Sequence, residues 1–316
     1  MVSTNGRSAD SGAADVAWPA GSGGTGVPAA DGGGGSGSGG AGPGTGGAGP
    51  GTGGAPVDAG GTPADAGGSN KVLIYGVTVG GYRHASIPAS AAAITRAATA
   101  AGLTVEAVGI TNQTNVVDRS RFTAAALAPY GAVILLANDA EPFGYPATDE
   151  IQNLVEYVRS GGALVAIECV SDSYGGAVSG PQTGHPKSVP FHDLLGGTFA
   201  GHPGDFAPAS CNKVGAGTHP SVAALAPTFK TVDEIYAFSD FRMDNQVLLT
   251  CIAGAFPGTV RPVSFVREEG AGRVFHSSLG HADAAWTMPM DPAVPGSRLL
   301  DDHVLPGLLW AMKRLP

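Results

Sequence analysis

Residues 161–176, with the sequence GGALVAIECVSDSYGG, decide the fold of this chain. Ala163–Ile167 is apolar at every position, and a strand without polar alternation is buried on both faces, as central strands of parallel sheets are. Polar residues follow it directly, from Glu168 to Asp172. In an open α/β sheet, ligands bind beyond the carboxyl ends of the strands, so we expect the functional site at this junction.

Similar apolar runs occur earlier in the chain and alternate with helix signals. They predict strands at residues 71–78, 103–110 and 132–137, with helices between them. Ser86 and Thr148 stand where the N-caps of the two longer helices are expected. Because right-handed crossovers place helices on both faces, this alternation predicts an α/β fold with a doubly wound parallel sheet.

The C-terminal half contains more turn signals. Residues 231–238 are predicted to form one strand, in which Asp233 and Glu234 face opposite sides. Two runs joined by a glycine-containing turn at residues 268–272 predict a hairpin. We therefore expect antiparallel strands added beside or across the parallel core. The other predicted elements are strands at 247–252, 262–267 and 273–277 and helices at 188–195 and 305–315.

Residues 1–69 differ in composition from the rest of the chain. They contain 25 of its 51 glycines and a tandem GGAGPGT repeat, with one basic residue against five aspartates. Such a segment buries too little apolar surface to offset the entropy of ordering it, which predicts a disordered Gly/Pro/Ala-rich linker. Residues 70–316 then form one α/β domain, long enough to bury a large core.

The charge distribution excludes several classes of partner. The net charge is −9 and no cluster of five or more basic residues occurs, so nucleic acid and anionic membranes are not expected partners. No apolar run approaches the roughly 18 residues of a membrane span. A stalk of this composition is typical of an exported or envelope-tethered domain, although this sequence shows no signal peptide; the alternative is a cytoplasmic protein.

The chain has three cysteines. Cys211 and Cys251 would pair if the domain is exported, but three buried thiols is the interpretation that we favour. Cys169 follows a buried strand, where a nucleophile elbow would stand, yet it lacks the small flanking residues that such a turn requires. We expect a structural cysteine there, with a thiol-dependent hydrolase as an alternative function.

Five short motifs follow one another along residues 71–284. They are YRHASIP at 82–88, LLGGTFAGHP at 194–203, HPSV at 219–222, DEIYAF at 233–238 and GRVFHSSLGH at 272–281. In this order they resemble the motifs of the ThuA-like (trehalose-utilisation) family. The resemblance implies a class I glutamine-amidotransferase-like, flavodoxin-type fold. It also implies a role in disaccharide catabolism, with processing of oxidised sugars.

The chain departs from the family pattern at two places. Where the family has Gly-Ile-His at the end of the fourth strand, this chain has Ala166, Ile167 and Glu168. A carboxylate takes over the proton role of an imidazole only if burial raises its pKa. A Trp-Tyr pair of the family is replaced here by Phe191 and His192. Both changes lie near the expected site.

Three residues are predicted to be catalytic. Glu168 and Asp172 lie four residues apart at the strand–loop junction, and two carboxylates in one cleft suffice for acid/base work on a glycoside. Alternatively, Glu168 holds the turn by accepting backbone hydrogen bonds or by pairing with Arg83. His84 follows the first strand and lies next to the fourth if the strand order is 2-1-3-4, where it could act as a base or a metal ligand.

Six further residues are predicted to bind substrate: Tyr82, Arg83, Asn138, His202, Tyr236 and His281. Tyr236 is included because aromatic faces stack on sugar rings, whereas Arg83 could instead anchor a loop carboxylate. His202 and His281 each follow a glycine and, with His84 and a carboxylate, could form a divalent metal site of the two-His, one-carboxylate kind. No ligand spacing in the sequence specifies such a site.

Two functions of different classes remain after these observations. The first is a carbohydrate-active enzyme that acts on a small saccharide or an oxidised (keto) disaccharide by acid/base chemistry. The second is a non-catalytic sugar-binding module displayed on a flexible tether. The long linker and the glutamate at the end of the fourth strand favour the second.

Overall fold

The computed structural model describes residues 68–111, 116–175, 185–204, 206–215, 217–254 and 258–316. Nearly all of the linker predicted at residues 1–69 lies outside these ranges. No helix within them is long and apolar enough to cross a membrane.

Eleven strands are present in the described part of the chain. Nine of them form one sheet in the order β2-β1-β3-β4-β11-β10-β9-β6-β7, and β5 and β8 form a separate ladder. The strands are β1 (Lys71–Tyr75), β2 (Thr104–Val108), β3 (Ala132–Leu136), β4 (Ala163–Ile167), β5 (Thr198–Phe199), β6 (Ala207–Lys213), β7 (Thr228–Asp233), β8 (Phe238–Ser239), β9 (Gln246–Ala253), β10 (Arg261–Glu269) and β11 (Gly272–Ser277).

Helices cover both faces of the parallel part of the sheet. On one face lie α1, α5 and α6, and on the other lie α2, α3 and α4. Strand β1 shows the alternation: Val72 belongs to the same apolar cluster as Ile94, while its neighbour Leu73 belongs to the cluster of Leu154. The helices are α1 (Ile87–Ala100), α2 (Ala124–Leu127), α3 (Thr148–Arg159), α4 (Val189–Leu195), α5 (Pro220–Ala223) and α6 (Leu305–Ala311).

The predicted α/β class and the added antiparallel strands are confirmed. Strands β1 to β4 pair in parallel, in the expected order 2-1-3-4. Strands β10 and β11 form the predicted antiparallel hairpin, and β11 joins the core by pairing in parallel with β4. The hairpin thus connects the parallel half of the sheet to the antiparallel half.

The single strand predicted at residues 231–238 is wrong. Strand β7 ends at Asp233, and the chain then leaves the large sheet so that Phe238 pairs with Phe199 in the small β5–β8 ladder. This crossing carries Glu234 and Tyr236 over the carboxyl edge of the sheet. The reason for the break is the hydrogen bonding of the Asp233 carboxylate, described below.

The predicted helix caps also need correction. Thr148 is the first residue of α3 and Ala147 occupies the N-cap, without a side-chain cap bond. Ser86 occupies the N-cap of α1 but does not cap it through its hydroxyl group. That hydroxyl donates instead to the carboxylate of Glu168, on a different element. Sequence spacing shows a cap position but not a tertiary partner for the same hydroxyl group.

A disulfide bond joins Cys211 on β6 to Cys251 on β9. The two residues are directly opposite each other in the antiparallel register, with Cα atoms 4.0 Å apart. The favoured expectation of three buried thiols is therefore wrong, because the pairing depends on a strand register that residue spacing does not reveal. Cys169 is buried as a free thiol, as expected.

Candidate functional site

A pocket of about 370 Å³ opens at the carboxyl ends of β1, β3 and β4. Its volume lies within the range of roughly 300–1,000 Å³ that is typical of small-ligand sites. The pocket therefore lies at the sheet edge that residues 161–176 predict. Six of the predicted site residues line it, namely Tyr82, His84, Asp172, His202, Tyr236 and His281.

A buried ion pair organises the floor of this pocket. The Nδ1 atom of His281 lies 2.7 Å from Oδ1 of Asp233, and both side chains are almost fully buried. The other carboxylate oxygen of Asp233 accepts the Gly280 N–H at 2.8 Å, and Oδ1 also accepts the Glu234 N–H at 2.9 Å. These bonds turn the backbone at Asp233, which explains why β7 ends there.

Gly280 is required for this arrangement. Its φ angle is +121°, and a Cβ atom there would lie 2.7 Å from the ring of Trp286. Only glycine adopts such a backbone without strain. The Gly280–His281 pair of the LGH motif is thus fixed against the end of β7.

The second ring nitrogen of His281 faces the pocket. Its Nε2 atom lies 2.9 Å from the Tyr236 hydroxyl and 3.4 Å from Oε2 of Glu234. The Tyr236 hydroxyl in turn donates to Oε2 of Glu234 at 3.3 Å. Burial alone would lower the pKa of His281, but the hydrogen bond to Asp233 and the neighbouring carboxylates outweigh it and raise that pKa to about 9.

His84 reaches the same floor from the loop after β1. Its ring centroid lies 5.0 Å from that of His281. Burial, together with the charges of His281 and His202, lowers the pKa of His84 to about 3, so its imidazole is neutral at physiological pH. The pocket thus combines a neutral and a charged imidazole.

The loop that carries His84 is fixed by a carboxylate on the neighbouring strand. Oδ2 of Asp139, after β3, accepts the Tyr82 N–H at 2.6 Å. A Cβ atom on Gly81 would lie 2.5 Å from the same oxygen, so the close approach requires glycine. This explains why Gly81 precedes the YRH motif.

Glu168 lies beneath the pocket and is fully buried. It follows the last residue of β4 with a φ angle of +64°, a left-handed conformation that is strained for a residue with a side chain and is common at functional sites. Its carboxylate oxygens accept the Ser86 hydroxyl at 3.0 and 3.2 Å. Burial raises the pKa of Glu168 to about 8, which favours its protonated form at neutral pH.

Three predicted site residues are not among those that line the pocket. Besides Glu168, the Arg83 guanidinium donates to the backbone carbonyls of Gly76, Gly109 and Thr111, and so ties the loops after β1 and β2 together. The Asn138 side chain is buried and donates to the Val77 carbonyl at 2.7 Å. Neither the loop carboxylate nor the Glu168 carboxylate expected as a partner of Arg83 is found in these bonds.

Sequence reasoning missed the role of Asp233 and misplaced Glu234. The prediction that the two residues face opposite sides is wrong, because both reach His281 once the strand ends at Asp233. The DEIYAF motif at 233–238 and the LGH motif at 279–281 are both visible in the sequence. Their pairing, however, depends on the crossing of the chain over the sheet edge.

The fold and site define an α/β domain with a buried Asp–His pair at the carboxyl edge of a mixed sheet. The chain belongs to the ThuA family, described as trehalose utilisation, whose model matches residues 71–311. This family implies a carbohydrate-related role. A search of curated proteins finds no match.

Two solved structures support the fold. A ThuA-like protein of Parabacteroides merdae is 19% identical with a TM-score of 0.55, over 77% of this chain and 90% of that one. A ThuA-like protein of Bacteroides uniformis is 18% identical with a TM-score of 0.53, over 83% of this chain and 94% of that one.

Proposed function

We propose that the pocket binds a small saccharide, in particular the keto form of a disaccharide, and cleaves it by acid/base chemistry. The observation that carries this proposal is the hydrogen-bonded series Asp233–His281–Tyr236, which ends at the wall of a pocket that also holds Asp172. Acid/base chemistry of this kind requires an oriented proton-carrying group next to a carboxylate.

The lining of the pocket suits a sugar. Tyr82 and Phe206 stand at its rim with 63% and 45% of their surface exposed, which leaves two aromatic faces free for the C–H face of a ring. Deeper in, carboxylates and imidazoles provide hydrogen-bond acceptors and donors for hydroxyl groups. A few directed polar groups among aromatic walls are typical of small-ligand sites.

We assign the proposed roles by position. Asp172, on the wall, takes a proton from the carbon between the ketone and the glycosidic carbon, since a ketone makes that C–H bond acidic. The bond between the glycosidic carbon and its oxygen then breaks by elimination, and the departing sugar takes the proton back from Asp172 to form its hydroxyl group. Water adds to the new double bond and gives the keto monosaccharide. His281 polarises a substrate oxygen through Nε2, and the neutral imidazole of His84 lies beside it. Glu168 supports the floor from below as a carboxyl group bonded by Ser86, so its role is positional.

The function is tested by supplying trehalose and its keto form, in which the C3 hydroxyl of one ring is oxidised, and measuring released monosaccharide by chromatography. We expect turnover of the keto form and a loss of about 100-fold or more in Asp172→Asn, because a positioned proton carrier contributes roughly 10²–10⁴-fold. Asp193→Asn, an exposed carboxylate outside the pocket, serves as the matched control. Calorimetric binding of either sugar without product at any pH would contradict the enzyme and select the sugar-binding module.

A further inference from the structure

Three metal-ligating side chains on the pocket floor converge on one point. His84, Glu234 and His281 each offer one ligand atom, and all three atoms lie within 4.8 Å of one another. The residues come from the segments after β1, β7 and β11, and all three are buried. The fold therefore brings two imidazoles and one carboxylate together from distant parts of the chain.

The geometry around His281 is that of a metal ligand with an outer partner. Histidine ligands commonly donate their other ring N–H to a carboxylate, which fixes the ring orientation. Asp233 accepts such a bond from Nδ1 of His281 at 2.7 Å, which leaves the Nε2 atom facing Glu234. The distance from Nε2 to Oε2 of Glu234 is 3.4 Å. Two ligands about 2.1 Å from a tetrahedral ion lie about 3.4 Å apart.

The charge of the pocket also favours a cation. Asp139, Asp172 and Glu234 line the pocket. Among the residues that the structure describes, no lysine or arginine lines it. The buried Asp233 carboxylate lies just behind this surface, bonded to His281. Buried carboxylates are stable only when paired or bound to a metal, so an additional positive charge would stabilise the site.

We propose that His84, Glu234 and His281 bind one divalent transition-metal ion, with an open coordination position facing the pocket. Two imidazoles and one carboxylate are a donor set that catalytic Zn²⁺ uses, and Fe²⁺ sites use the same set. The metal site itself does not depend on the proposed function. Its consequence does rest on that function: an oxygen of the saccharide would take the open coordination position. The ion would then polarise that oxygen in place of the His281 Nε2 proton, and Asp172 would still move the substrate proton.

The test is zinc binding to the full chain after chelator treatment, followed by calorimetric titration with ZnSO₄ and parallel titrations with MnCl₂ and MgCl₂. We expect one Zn²⁺ per chain and weaker binding of Mg²⁺, which prefers oxygen ligands. His84→Gln and Glu234→Gln should each weaken Zn²⁺ binding by at least 100-fold, and Asp233→Asn by 10- to 100-fold. His219→Gln, a histidine outside the pocket, should leave the affinity unchanged.

A crystal of the zinc-loaded protein should show one anomalous peak at the zinc edge, between the three side chains. Retention of the fold in each variant is checked by circular dichroism, and the two ligand variants are independent of each other. Absence of stoichiometric Zn²⁺ binding, or a change of less than twofold in both variants, would overturn the inference. Full turnover of the sugar in excess chelator would overturn it too while leaving the proposed function intact, whereas tight Zn²⁺ binding without turnover would support the site and contradict the enzyme.

Discussion

Replacing Asp233 with Asn is expected to lower kcat on the keto sugar by about 100- to 10,000-fold, with little change in KM. Asp233 accepts four hydrogen bonds, from the Nδ1 atom of His281 and from three backbone N–H groups. An amide offers only one acceptor oxygen, so the variant would turn the imidazole or change its protonation, and a misoriented histidine loses most of its catalytic contribution. Steady-state kinetics give both constants.

The matched control is Asp301→Asn, which removes a carboxylate that is half-exposed and pairs with Arg298 on the surface. Its kcat should equal that of the unmodified protein. The thermal midpoint of each variant shows whether the fold is retained. A kcat for Asp233→Asn within threefold of that of the unmodified protein would show that the Asp233–His281 pair does not contribute to catalysis.

Acidification from pH 7 to pH 4.5 is expected to destabilise the fold through histidines that lie away from the pocket. Burial lowers the pKa of His276 to about 3 and that of His303 to about 4. Their folded-state pKa values lie below the unfolded value of about 6.5, so the stability that they contribute is present above pH 6.5. The contribution of His303 is lost as the pH falls toward 4, and that of His276 as the pH falls toward 3. Each histidine should cost about 2 kcal/mol at pH 4.5.

The measurement is urea unfolding at both pH values for the unmodified protein and for His276→Gln. His276 packs against Phe265, with ring centroids 4.6 Å apart, so the variant will be less stable at pH 7. The informative quantity is the loss of unfolding free energy between the two pH values. This loss should be smaller by about 2 kcal/mol in the variant. Equal losses in the two proteins would show that His276 titrates normally in the folded state.

The parallel core could be predicted because its signal is local. Ala163–Ile167 has no polar residue, and every position of β4 is buried as that pattern requires. The position of the pocket follows from the same strand, because the fold class fixes which sheet edge binds ligands. His84 could be assigned to that edge because it stands a few residues after β1.

The remaining features depend on pairings between distant residues. The Asp233–His281 bond joins residues 48 positions apart. Together with the backbone N–H bonds that Asp233 accepts, it ends the strand that alternation would have continued to residue 238. The local sequence predicts that the Ser86 hydroxyl caps a helix, but it donates instead to the buried carboxyl group of Glu168, 82 residues away. The Cys211–Cys251 bond likewise depends on the β6–β9 register.

We propose that the saccharide binds in the one pocket that His84, His202 and His281 line. The most direct measurement is nuclear magnetic resonance of the protein labelled with ¹⁵N in its eight histidines, titrated with the keto disaccharide. We expect shifts in the imidazole signals of these three residues at saturation, while those of His219, His276 and His303 stay in place. Saturable binding that moves the signals of the second group, and leaves those of the first unchanged, would contradict it.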